Sequence, residues 1–248
     1  MTLTEILALL ALGSVAGFIN VLSAGGSMIT LPLLMFLGLP PQVANGTNRV
    51  AVALQSITAV GSFYRMGHGN LWVSVHLAVP AVLGALIGAW MATRVPDEIF
   101  NLVLVVAMVG ASVFMLLPQP VLSTRPLTTD RLGPAIYLAM FVIGIYGGFI
   151  QVGVGVLFIV VLYHILKIDL RQVNVLKVSI VLPFTLAALL VFAANGQVRW
   201  VMGLTLAAGN ICGAFMAVRV NLSPKGGIWV KWLTLVMVAA ILVRLLLY

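Results

Sequence analysis

Two cations stand inside apolar runs that offer them no carboxylate. Arg49 lies seven residues into the run 43–64, about 10 Å along a helix, and Lys177 lies six residues beyond Arg171 in the run 172–194, about 9 Å on the same scale. A charge at such depth in a bilayer costs at least about 2.5–3.5 kcal/mol on insertion scales, and neither run contains an acid. Either an anionic guest neutralises these side chains or they snorkel to the interface. Polar residues gather around them: Asn20, Ser23, Ser27, Asn45, Thr47 and Asn48 in the first half, with Gln151, Asn174 and Ser179 as counterparts in the second. Glycines at Gly25, Gly26, Gly153 and Gly155 interrupt the neighbouring apolar stretches. Half-helices opening at Gly26 and Gly155 would aim backbone N–H groups and a positive dipole end inward, which is a seat for an anion. The candidate binding set is therefore Asn20, Gly25, Gly26, Ser27, Asn45, Thr47, Asn48, Arg49, Gln151, Gly153, Gly155, Asn174 and Lys177. For any single Asn or Ser, helix–helix hydrogen bonding or capping of the break is the competing account.

The elements that must position these residues are membrane helices. The chain has 248 residues, 62% of them hydrophobic and 7% charged, with a mean hydropathy of +1.21. Soluble domains need about 25% charged residues to wet their surface. About 20 apolar residues span a bilayer core, so the material suffices for roughly eight to ten membrane segments. Runs such as Leu102 to Met108 do not alternate, which excludes the strands of a membrane barrel and leaves an all-α polytopic fold. The apolar runs fall at 3–22, 27–38, 43–64, 71–93 and 98–117, then at 135–152, 155–166, 172–194, 199–218 and 228–247. Between them, 118–134 carries Pro118, Pro120, Pro126, Pro134, Arg125, Asp130 and Arg131 and reads as a linker. Residues 1–117 and 135–248 are then two membrane repeats. The runs after Gly26 and Gly153 are too short to span, so each marks a broken or re-entrant helix, tolerated only where protein or a cavity surrounds it.

The two halves repeat. MATRV at 91–95 matches MAVRV at 216–220, and Gly84 and Gly88 match Gly209 and Gly213, all at an offset of 125. Gly17 to Asn20 matches Gly148 to Gln151 at an offset of 131, and Lys177 falls opposite Asn48, next to Arg49. Charge decides how the halves are oriented. If each short pair returns to its own side, the second half is inverted. One side then collects Arg65, Arg125, Arg131, Lys167, Arg171, Arg219, Lys225 and Lys231, eight cations against Arg94, Arg199 and Arg244 on the other. The alternative topology splits them six to five, and only a bias satisfies the positive-inside rule. Both termini then face outward from the plasma membrane, the inner membrane of a prokaryote.

The run from Gly17 to Arg49 resembles the sulfite exporter TauE/SafE family of membrane permeases. Gly25-Gly26-Ser27, Pro32, Gly38-Leu39-Pro40-Pro41 and Ala44-Asn45-Gly46-Thr47-Asn48 carry the likeness, and Gly147-Gly148-Phe149 through Gly155 and Lys177 is similar to that family's second motif. The resemblance implies transport of a small, often sulfur-containing anion such as sulfite or a sulfonate.

Other chemistry lacks parts. The lone Cys212 permits neither an intramolecular disulfide nor a cysteine metal cluster. There is no His/Asp/Glu cluster and no phosphate-loop pattern, so no enzyme, metal or cofactor is expected, and no ATP-driven pump as a single chain. The net charge of +8 comes from basic residues set singly between apolar runs, which suits topology and anionic lipid contact rather than nucleic acid. Met1 to Leu12 has Glu5 where a cleavable signal would be positive. Asp97 and Glu98 suit a helix N-terminus and Arg94 and Arg219 helix C-termini. His76 suits a packed or interfacial place better than a proton relay. The glycine pairs 84/88 and 209/213 suit close helix contact. The expected function is alternating-access transport of a small anion at the repeat interface. An anion channel and a non-transporting membrane scaffold are the other readings. With so few acids, no site for a coupling Na⁺ or H⁺ can be named.

Overall fold

The computed structural model describes residues 1–22, 25–116, 132–168 and 170–223. Among these, nine helices and no strand occur: α1 Leu3–Leu22, α2 Ser27–Phe36, α3 Pro41–Arg65, α4 Leu71–Ala92, α5 Asp97–Leu116, α6 Pro134–Phe149, α7 Val154–Leu166, α8 Leu170–Ala194 and α9 Trp200–Leu222. The chain is an all-helical, polytopic membrane protein. Helices α1, α4, α8 and α9 are long and apolar enough to cross a membrane. At 10 and 13 residues, α2 and α7 reach only about 15 and 20 Å. The tenth apolar run, 228–247, Ser23 and most of the linker lie outside the described residues.

Local chemistry sets the boundaries. Pro41 opens α3 and Pro134 opens α6, at positions where the missing N–H would be unpaired anyway. Asn70 caps α4 by accepting from Val73 N–H at 3.2 Å. Asp97 and Glu98 fill the first turn of α5, as the dipole favours. Gly153, which precedes α7, has φ +71°, a left-handed conformation that costs side-chain-bearing residues energy.

The two glycine pairs noted in the sequence are contact surfaces, and each meets a second pair. A Cβ on Gly209 or Gly213 of α9 would lie 2.3 Å from Leu10 O or 2.0 Å from Ser14 O of α1. Likewise, one on Gly13 or Gly17 of α1 would lie 2.8 Å from Leu206 O or 2.3 Å from Asn210 O. The crossing of α4 with α6 is built alike. There Gly84 and Gly88 meet Phe141 O and Ile145 O, while Gly144 and Gly148 meet Ala81 O and Ala85 O. Backbones therefore touch, the arrangement that holds helices together where lipid removes the hydrophobic drive. In both crossings the first helix of one half lies against the fourth helix of the other, so the halves interlock.

Helices α3 and α8 occupy the middle. Residues Ala44 to Ala53 of α3 and Val173 to Val181 of α8 are buried without interruption. Burial on every face means protein all round. For α3 that run includes Asn45, Thr47, Asn48 and Arg49, so its polar side chains face other helices and not lipid.

Candidate functional site

Two broken helices meet the central pair. The first break lies between α1 and α2, the second between α6 and α7. A helix end leaves its last carbonyls without N–H partners, and inside a membrane protein water cannot supply them. At the end of α6, Ile150 N–H bonds Tyr146 O at 2.8 Å. The next three carbonyls are taken by α3. Arg49 Nη2 donates to Gly147 O at 3.0 Å and Gly148 O at 2.6 Å, and Asn45 Nδ2 donates to Phe149 O at 3.0 Å. Asn45 Oδ1 also accepts from Gln151 N–H at 3.3 Å.

The end of α1 is treated in the same way by α8. Lys177 Nζ donates to Asn20 O at 3.1 Å and Val21 O at 3.0 Å, and Asn174 Nδ2 to Leu22 O at 3.1 Å. Lys177 Nζ also donates to Asn174 Oδ1 at 3.0 Å, while Asn174 Nδ2 bonds Asn221 Oδ1 at 2.9 Å. Asn45 and Asn174 stand at one offset, 129, and do one job in each half: the central helix of one half closes the broken helix of the other.

This answers the question the two cations posed. Neither snorkels, since Arg49 is 0% and Lys177 2% exposed. Their counter-charge in this structure is the negative end of a helix dipole rather than a carboxylate; among the described residues no acid pairs with either. The guanidinium of Arg49 also lies 4.8 Å from the Phe192 ring centre, a cation–π contact. Its Nε and Nη1 have no partner among the described residues.

Between the breaks is a partly open cleft; the space among its lining residues, open solvent included, is about 350 Å³. Asn20 and Ser27 line it from the first break, and Gln151, Val154 and Gly155 from the second. Helix α3 adds Val52, Gln55 and Ser56, and α8 adds Lys177, Val178, Val181 and Phe184. Ser27 opens α2 and Val154 opens α7, so the first turns of both short helices, where dipoles are positive, border the space together with one lysine. Ser56 Oγ and Gln151 Oε1 are buried and without partner. Gln151 Nε2 donates to Thr185 Oγ1 at 3.0 Å. A hydroxyl gives as well as accepts, so the amide can turn its NH₂ to the pocket and keep that contact.

The sequence-derived set thus divides. Asn20, Ser27, Gln151, Gly155 and Lys177 line the pocket. Asn45, Arg49 and Asn174 hold the breaks that carry those residues. Asn48 pins the start of α2, accepting from Thr30 Oγ1 at 2.7 Å and donating to Ser27 Oγ at 3.3 Å. Thr47 accepts from Arg199 N–H at 2.9 Å, just before α9. Gly26 is a close approach, since a Cβ there would lie 2.2 Å from Ala16 O; Gly25 O accepts from Met28 N–H at 3.1 Å at the start of α2; and Gly153 supplies the left-handed turn. Val52, Gln55, Ser56, Val154, Val178, Val181 and Phe184 were not in that set. Helical spacing was the available signal: Val52, Gln55 and Ser56 follow Asn48 at four, seven and eight residues, and Val181 and Phe184 follow Lys177 at four and seven. His76 and His164 are exposed, each with Nδ1 at 2.8 Å from a carbonyl of its own helix.

Interrupted apolar helices around a cleft bordered by two helix N-termini and one lysine define an integral membrane protein. The family model described as Sulfite exporter TauE/SafE matches residues 9–245. The chain belongs to this family. A relative from Sinorhizobium sp, the probable membrane transporter protein ORF9, is 30% identical over 244 residues, covering 94% of this chain and 88% of that one. A probable membrane transporter protein of Haemophilus influenzae is 26% identical, covering 94% and 91%. The probable membrane transporter protein YfcA of Escherichia coli K12 is also 26% identical, covering 94% and 86%. No solved structure matches the chain.

Proposed function

We propose that this protein is a secondary transporter of a small anion, a sulfur oxyanion or sulfonate such as sulfite, which it moves across the plasma membrane by alternating access. The observation that carries the reading is the pocket: both short helices begin at its wall, and Lys177 borders it beside the amides of Asn20 and Gln151. An anion shedding its water would exchange hydration for N–H groups at these helix starts, the Gln151 amide and the Ser56 hydroxyl. Membership of a family described as sulfite exporters supports the sulfur-containing class. Residues 1–117 and 135–248 would form inverted repeats joined by 118–134, with both termini outside, and the anion would sit where the repeats meet.

Purified protein in proteoliposomes tests this with a panel of sulfite, thiosulfate, sulfoacetate and chloride, with and without a proton gradient. Saturable uptake of a sulfur anion is expected. Uptake of neutral or cationic solutes alone would refute the anion assignment, and unitary currents in a planar bilayer would make the protein a channel.

A further inference from the structure

The breaks of α1 and α6 carry a consequence for ion coupling. In transporters with interrupted helices, half-helix C-terminal ends and unwound carbonyls are where Na⁺ is coordinated. Here those oxygens already hold a cation. The ammonium of Lys177 donates its three bonds to Asn20 O, Val21 O and Asn174 Oδ1 at 3.0–3.1 Å, which is its full capacity. Leu22 O is closed by Asn174. At α6, Arg49 Nη2 takes Gly147 O and Gly148 O, and Asn45 takes Phe149 O. Both cations are buried and tethered to the central helix of the opposite half. A free monovalent ion arriving at these carbonyls would meet a like charge and oxygens that already accept hydrogen bonds.

We propose that Lys177 and Arg49 are tethered counter-cations occupying the positions a coupling sodium ion takes at broken helices, so that anion movement through this protein needs no sodium. The proposal rests on the transport reading for its functional half; its structural half, that the end of α1 is a cation site filled by a lysine, stands on the geometry alone.

Two measurements test the halves separately. In proteoliposomes, the initial rate for whichever panel anion moves, sulfite first, is compared in sodium and in N-methylglucamine buffers. We expect rates equal within about twofold; a drop of about tenfold or more without sodium, the size of an ordinary linkage between two ligands, overturns the proposal. Thermal melting of Lys177→Ala is then followed with added methylammonium or Na⁺, beside the wild type. The vacated oxygens should accept the small cation, raising the variant's Tm by about 3–6 °C at tenfold excess over its dissociation constant while the wild type stays unmoved. A variant that is purified folded and gains nothing from either cation overturns the cation-site assignment. If the variant does not fold, the sodium replacement on wild type decides. If no panel anion moves, the transport reading fails and the melt still decides the cation site.

Discussion

Asn45 offers a direct test of the carbonyl accounting, because it carries no charge and makes two bonds to one break. Replacing it with leucine, of similar volume, removes the donor to Phe149 O and the acceptor for Gln151 N–H. Asn45 is 0% exposed, so water cannot enter to replace either bond. Each orphaned backbone group costs about 1–3 kcal/mol, or about 2–6 kcal/mol together. Polar contacts inside membrane proteins sit toward the lower end, because the unfolded chain in a bilayer also finds partners. At about 2–4 °C per kcal/mol for a protein of this size, Asn45→Leu should lower Tm by about 4–12 °C. The assay is a fluorescence-detected melt in detergent, with Thr58→Val as control. Thr58 lies on the same helix, and among the described residues its hydroxyl bonds only Leu54 O of that helix, at 3.0 Å; its loss should shift Tm by about 2 °C or less. Should Asn45→Leu melt within the range of Thr58→Val, the end of α6 does not depend on α3 for its bonds and the account of both breaks fails.

Two further outcomes follow from the geometry. Gly88→Ala and Gly213→Ala would each place a Cβ about 2 Å from a carbonyl oxygen, Ile145 O and Ser14 O, and should cost about 1–3 kcal/mol or more by forcing the crossing apart; Gly61→Ala, in the interior of α3 with nothing within 4 Å, should be neutral or stabilising by about 0.5–1 kcal/mol in the same melt. Gln151→Leu removes a polar group from the pocket wall and should raise the KM for anion uptake about tenfold; an unchanged KM would remove Gln151 from the binding seat.

The elements were legible because proline and glycine punctuate the runs. The apolar stretches foretold α1 at 3–22 and α7 at 155–166 almost to the residue, and α3 began two residues early because Pro41 can open a helix. The expected 135–152 stops instead at Phe149, since the N–H of Gln151 bonds a side chain from the other half. No local pattern encodes that. The site shows the same limit. Arg49 and Lys177 stood out through the cost of burying a charge, yet their partners are main-chain carbonyls, and every residue has one of those. Sequence can show that a charge needs an acceptor; only the fold shows which helix end supplies it. Gln55 and Ser56 were within reach of periodicity, but nothing in their type separated them from residues that bond a neighbouring helix, as Gln55 Oε1 itself does with Asn210 Nδ2 at 3.1 Å.

The interlocking also constrains how the proposed transport could proceed. Sliding residues 1–117 as a block past the described part of the second half would break both glycine crossings and every cross-half carbonyl contact at once, because α1 lies on α9 and α4 on α6. Backbone contacts that close give way in an all-or-none fashion rather than bending gradually. A motion that spares them must keep α1 with α9 and α4 with α6, so the moving bodies each draw helices from both halves. Helix α3 lies along α9 and α8 along α4, which assigns one central helix to each body. Among the described residues the contacts between the bodies then include the α3–α8 contact, which flanks the pocket, the bonds from Gln42 to Val95 O and from Arg171 to Ser223 O, and the four side chains Asn45, Arg49, Asn174 and Lys177 that reach across to the opposing break. On this argument the side chains that close the broken helices lie at the articulation about which the pocket would open to either side, with the ends of α1 and α6 held by the opposite body and α2 pinned by Asn48 within its own.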